Sequence, residues 1–185
     1  IQSTVSLKDG GELKADIAVA DPLTKRQLSG SVTVDDVQLA QFNPVLASLS
    51  PQLSASGTLS AELQPRGTLQ KPALYGDIKL DAFAAQGQAV PLDMKPSNVT
   101  LHFEGDQSEL IADLQTAQGK INVTGNAKWS DPGNPTARVA VKGDKVRVSL
   151  PPYVTAHVTP DVQASISLQN LNLSGSIQIN QARIT

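Results

Sequence analysis

Leu28-Ser29-Gly30-Ser31-Val32-Thr33-Val34, Leu74-Tyr75-Gly76-Asp77-Ile78-Lys79-Leu80 and Leu173-Ser174-Gly175-Ser176-Ile177-Gln178-Ile179 are three copies of one pattern. An apolar residue opens each copy, a glycine follows two places on, and apolar residues recur at every second position after it. Successive side chains of a strand point to opposite faces, so each copy reads as a strand with one apolar and one polar face. The glycine is in phase with the apolar residues and points inward. Ala55-Ser56-Gly57-Thr58-Leu59 and Val123-Thr124-Gly125-Asn126-Ala127 are looser copies. Glycine within a strand marks a bend or a close approach. Gly30, Gly76 and Gly175 therefore predict a sheet that folds sharply along a line.

Outward from these copies the two-residue period continues. It runs through Leu13–Val19, Leu53–Leu63, Val99–Phe103, Leu110–Leu114, Ile121–Trp129, Ala137–Val141, Val146–Leu150, Val162–Leu168 and Leu171–Ile179. About a dozen strands result, joined by breakers such as Asp9-Gly10-Gly11, Asp131-Pro132-Gly133 and Lys142-Gly143-Asp144. Repetition of this kind predicts a sheet that grows lengthwise rather than a closed Greek key. One segment departs from the period. Phe42, Val45, Leu46 and Leu49 have helical spacing, with Asn43 as N-cap and Pro44 in the first turn, which predicts one short helix near 42–49.

Composition excludes several functions for the 185 residues. The net charge is −2 and no basic cluster stands clear of acidic neighbours, which argues against a nucleic-acid partner. Aromatic residues are 3% of the chain, so the core must come from Leu, Val, Ile and Ala. Cysteine is absent, which removes disulfides, thiolate metal sites and thiol nucleophiles. The two histidines, His102 and His157, are isolated, and no close-spaced His/Asp/Glu set offers a metal site. Serines lie in uniform polar stripes without a Gly-x-Ser-x-Gly turn, and no glycine-rich loop leads into a helix. The expectation is a non-enzymatic chain with no catalytic residues, no metal and no cofactor. No stretch reaches the roughly 18 apolar residues of a membrane span. Starting at Ile1 without Met and stopping inside the strand-like Ser176–Thr185, the chain reads as one segment of a longer protein.

The apolar face allows two architectures. In a sandwich, two sheets bury these faces against each other. Alternatively, one sheet folds lengthwise and leaves an apolar groove, on the order of 55 Å long for about a dozen strands at ~4.8 Å spacing. Periodicity alone leaves both open.

The repeated Leu-x-Gly-x-Ile-x-Leu, the stretch Gly67-Thr68-Leu69-Gln70-Lys71-Pro72-Ala73-Leu74-x-Gly76 and the polar stripes resemble the AsmA-like superfamily. More narrowly, they resemble the conserved C-terminal domain of the TamB family. The resemblance covers essentially the whole chain. It implies an all-β fold, a long sheet folded lengthwise into an open taco-like groove with an apolar interior, with residues 1–185 a single segment of a periplasm-spanning protein. It further implies an inner-membrane-anchored parent in a Gram-negative bacterium, and TamA, an outer-membrane Omp85-type barrel with POTRA domains, as partner. The implied roles are phospholipid transport between the membranes and the assembly of outer-membrane and autotransporter proteins.

On that basis the expected groove lining is Leu13, Ile17, Val32, Val34, Leu59, Leu63, Ile78, Leu80, Leu101, Phe103, Ile121, Val123, Val139, Val141, Val148, Ile166, Leu168 and Ile177. Its occupants are phospholipid acyl chains or unfolded outer-membrane protein strands. The rival expectation is a chaperone-like platform that binds barrel strands or a POTRA domain by edge pairing, at Ser3–Leu7 or Ser176–Thr185. A third expectation is a solid structural spacer.

Overall fold

A computed structural model describes residues 2–6, 10–20, 23–150 and 154–184. Twelve strands form one antiparallel sheet. They are β1 Gln2–Ser6, β2 Glu12–Ala20, β3 Gln27–Gln38, β4 Ser54–Gly67, β5 Pro72–Gln86 and β6 Ser97–Gly105. The second half comprises β7 Gln107–Gln115, β8 Lys120–Lys128, β9 Thr136–Asp144, β10 Val146–Leu150, β11 Val154–Ser167 and β12 Leu171–Ile184. From β1 to β9 each strand pairs with the next in sequence. β9 and β10 then lie end to end, separated by Lys145 at φ 46°, and both pair with one edge of β11. β12 takes the other edge. The sheet is open, grows in chain order, and fits the lengthwise-folded architecture rather than the sandwich.

Register explains why alternation was so strict. Paired residues of adjacent strands share a face, and the pairs match apolar with apolar: Leu13 with Val34, Val32 with Leu63, Leu59 with Leu80, Ile78 with Leu101, Val123 with Val141.

Bulges break the ladder without breaking this match. In β3 the register shifts between Val34, paired with Ala61, and Val37, paired with Leu59. Asp35 and Asp36 both oppose Ser60, with Asp36 at φ 48°. Similar shifts occur beside Gly57 in β4 and at Ala82, φ 52°, in β5. These three irregularities lie on neighbouring strands and form a line across the sheet. A second line crosses the far side, from Lys145 to the shift at His157/Val158 that leaves Asn180 of β12 unpaired. Thr159 stitches this line, accepting the Lys145 N–H at 3.1 Å and donating to Asn180 Oδ1 at 2.8 Å. Bulges bend the strand that carries them.

The buried core follows the same level. Val37, Ala112, Ile121 and Val146 are the buried apolar residues among those described, all on the apolar face, and Val146 has no exposed surface. Burial concentrated where the strands bend is what a sheet creased toward its apolar side produces.

Three expectations need correction. The helix α1 spans Asn43–Leu49 and follows a 3-10 turn at Leu39–Phe42, but Phe42 is its N-cap. Asn43 lies inside, and its Oδ1 accepts the Ala55 N–H at 2.8 Å, tying the helix to β4 instead of capping it. Lys142-Gly143-Asp144 is not a turn. It completes β9, because Gly143 pairs with Ile121, and the break falls one residue later. The period assigned to Ile121–Trp129 ends at Lys128 in the ladder. Of the breaker Asp9-Gly10-Gly11, Asp9 lies outside the described residues.

Candidate functional site: the apolar face

Seventeen of the eighteen expected lining residues occupy strand positions on one face of the sheet. From the β2 side, Ile17 pairs with Gly30, and Leu13, Val32, Val34, Leu59 and Leu63 are linked through the β2–β3–β4 ladders. Ile78 and Leu80 continue into β6, where Leu101 lies between Ile78 and Leu110, and Phe103 pairs with Gly76. Ile121 and Val123 pair with Gly143 and Val141, and Val139 lies between Gly125 and Ala164. Val148 pairs with Ala156, Ile166 with Ala137 and Leu171, and Ile177 with Pro160. Leu168 is the exception: it is in phase but past the end of β11, in the turn closed by Ser167 N–H donating to Asn170 O at 2.8 Å.

Exposure grades across this face. Ile121 is buried and most of the others are half-buried, but Ile17, Ile166, Leu168 and Ile177 are exposed. The gradient runs from the crease to the outer strands. Three floor residues are absent from the expected lining, although Ala112 and Val146 stand in phase within the runs Leu110–Leu114 and Val146–Leu150. Val37 was hidden because the bulge sets it three places after Val34, so simple alternation puts it on the wrong face. Ala112 is small, and Val146 follows the Lys145 break.

Aromatic packing also exceeded expectation. The rings of Phe103 and Trp129 lie 6.2 Å apart at 59°. The Trp129 indole N–H donates to Pro72 O at 2.8 Å, fastening the end of β8 to the start of β5. The signal was present, since Trp129 prolongs the odd-numbered period of β8.

The three repeat glycines share one geometry. Gly30, Gly76 and Gly175 have φ of 132°, 119° and 120°. A Cβ at Gly76 would stand 1.9 Å from Glu62 O, and the equivalent atoms at Gly30 and Gly175 would meet Asp16 O and Asp161 O. The sequence thus repeats a close approach to the preceding strand. Gly125, a looser copy, lies on the apolar face without positive φ.

The other face is polar. His102 Nδ1 lies 2.6 Å from Asp77 Oδ1, and Asn122 Nδ2 donates to Asp113 Oδ1 at 3.0 Å. Both His102 and Asp77 are about half exposed, so their pairing contributes little. A shallow concavity of about 790 Å³ on this face is lined by residues including Glu104, Glu109, Lys128 and Arg138. His157, on β11, shares a 2.7 Å hydrogen bond with Gln118 Oε1. Among the described residues no three His, Asp or Glu side chains are grouped as metal ligands, and no helix is long and apolar enough to cross a membrane.

Comparison with known proteins adds identity to this geometry. Residues 1–80 match the family model described as TamB, N-terminal domain, and residues 107–185 match the TamB C-terminal domain. The chain is 25% identical over 184 residues to the translocation and assembly module subunit TamB of Haemophilus influenzae. That alignment covers 100% of this chain and 14% of the relative. No solved structure gives a significant match.

Proposed function

The chain belongs to the TamB family, and from that premise we propose that its apolar face is one segment of a periplasmic hydrophobic conduit in a translocation and assembly module. The parent protein is a non-enzymatic component of the bacterial envelope, anchored in the inner membrane and partnered at the outer membrane by TamA. Its conduit carries phospholipid between the membranes and supports the assembly of outer-membrane and autotransporter proteins. The residues of the expected lining are its acyl-chain contacts.

The observation that carries this reading is continuity. Apolar residues follow one another through the register of the whole sheet, from Leu13 on β2 to Ile177 on β12, with no charged residue paired into the row. Burial of each methylene is worth about 0.8 kcal/mol, so a 16-carbon chain gains on the order of 12 kcal/mol over exposure in water. Relative to a membrane interior the gain is near zero, and a uniform groove then lets a chain slide over small barriers.

Native mass spectrometry after detergent-free purification tests the proposal. Co-purified phospholipid is the expected result, and it should be lost in Ile78→Asp. A folded wild-type chain that carries no lipid and takes none from vesicles would refute the conduit.

One observation favours the second reading, a platform for barrel strands or a POTRA domain. Among the described residues β12, fourteen residues long, pairs on one side alone. An unpaired edge of that length is a template for another strand. At the other end β1 pairs solely with β2, while Leu7 and Thr185 of the expected edges lie outside the described residues.

A further inference from the structure

Between β5 and β6 the chain does not turn back directly. Residues 87–96 lead into β6, and their last part lies antiparallel beside the residues that follow β7, a loose continuation of the β6–β7 pairing. Leu92 pairs with Val148 of β10 and Met94 with Thr116, each as an isolated bridge. Ser149 N–H donates to Pro91 O, Ala117 N–H to Asp93 O and Lys95 N–H to Gln115 O, each at 2.8 Å. Because paired residues share a face, Leu92 stands with Val148 on the apolar side and Met94 follows in phase.

The segment is tied more lightly than the strands around it. Those three bonds and one from Ser97 Oγ to Lys95 O at 2.7 Å hold it, whereas β4 and β5 are laddered along almost their whole length. Pro91 and Pro96 supply no N–H donors. Across from it, an open cavity of about 220 Å³ of mixed lining has Leu92, Asp93 and Met94 from this segment and Ala55, Ala85 and Gln86 among its residues from β4 and β5. Beside it lies the deepest part of the floor, since Val146 precedes Val148 by two residues on the same face. Elements with few hydrogen bonds and a void behind them open before continuous ladders do.

We propose that residues 87–96 form a movable strap, and that its opening is a side port through which a phospholipid acyl chain enters the groove. The inference rests on the conduit reading and adds a route to it: lipid enters through the wall of the sheet and does not have to thread the groove from one end.

A disulfide lock tests the strap directly. Leu92 and Val148 are flanked by the Pro91–Ser149 hydrogen bond, the arrangement in which paired Cα atoms approach most closely, so Leu92→Cys with Val148→Cys suits a cross-strand disulfide. The chain has no cysteine of its own, so the bridge is unambiguous. The same double variant is compared oxidised and reduced, with a pyrene-labelled phosphatidylethanolamine in vesicles as donor.

Oxidation is expected to slow lipid uptake at least about tenfold, with reduction restoring it. In the unmodified chain the amides of Lys95, Ala117 and Ser149 should exchange with solvent about a hundredfold faster than those of the β7–β8 ladder. Equal uptake by the two redox forms overturns the port and leaves the conduit standing. No uptake by reduced variant or wild type overturns the conduit and the port together. Strap amides as protected as the β7–β8 ladder overturn its mobility whatever the lipid result.

Discussion

β5 and β12 carry the same sequence pattern and meet different fates. Gly76 and Gly175 have nearly equal φ, and a Cβ on either would overlap the carbonyl of the strand before it. The residues two places on diverge: Ile78 is half-buried, whereas Ile177 is 61% exposed. β5 has neighbours on both sides, and among the described residues β12 has only β11. The pattern therefore encodes the conformation of a strand and which face is apolar. How deeply that face is covered depends on what lies beside it, and every residue of β12 is exposed.

The largest effect expected from this comparison is at the central glycine. Gly76→Val places a side chain against backbone at a φ that L-residues avoid, so β5 must shift away from β4. A loss of about 3 kcal/mol or more is expected despite the high strand propensity of valine. Gly175→Val strains the backbone in the same way, but the edge strand can move outward, and a loss of roughly 1–2 kcal/mol follows. Urea denaturation of the two variants measures the difference. Equal losses would mean that neighbours on both sides do not matter, and a raised midpoint for Gly76→Val would remove the close-approach reading.

Next in size is a charge on the apolar face. Ile78→Asp sets a carboxylate between Ala61 and Leu101 and should cost about 2 kcal/mol or more. Leu168→Asp, equivalent on periodicity alone, should cost less than about 0.5 kcal/mol because Leu168 is 68% exposed beyond the ladder. On the opposite face Ser176→Asp, which faces Asp161 across the ladder, should cost less than about 1 kcal/mol through exposed like-charge repulsion. Thermal melts of the three variants rank them, and a Leu168→Asp loss as large as that of Ile78→Asp would place Leu168 in the packed wall.

The fold was legible where strand period and register agree. Alternation at Leu13–Val19 or Ala137–Val141 named both the strand and its inner residues, and the glycine repeat marked a close approach to the preceding strand at each copy. Register, however, sets Gly30, Gly76 and Gly175 in three different rows, so the expected fold along a line of glycines is not what bends this sheet. Alternation failed where one extra residue restores the register. Val34-Asp35-Asp36-Val37 looks like the end of a strand, yet the bulge carries β3 onward to Gln38 and delivers Val37 to the floor. Positive φ at Asp36, Ala82 and Lys145 has no dependable sequence sign, because none is glycine and each is held by its neighbours' pairing. Residues 87–96 escaped for a related reason. Two prolines and a short apolar run read as a loop, and nothing local reveals that Leu92 meets Val148, fifty-six positions away. The short helix was seen from its spacing, while the tertiary bond that claims Asn43 was not.

The smallest change in stability should accompany the clearest change in association. Ile177 and Ile179 project from the unsupported strand at 61% and 65% exposure. Ile177→Lys with Ile179→Lys removes little buried surface and should alter stability by no more than about 0.5 kcal/mol. The same two lysines discourage strand addition, because a second sheet edge would have to bring charge onto its own apolar face. Weak, concentration-dependent self-association of the chain is expected through β12, and the double variant should abolish it. Counterpart lysines on β5, at Ile78 and Leu80, should unfold the chain instead, since those positions lie between two paired strands. Sedimentation velocity at rising concentration reads the first effect and circular dichroism the second. Undiminished association by the folded double variant would move the contact away from β12, and with it the main support for strand pairing as a function of this segment.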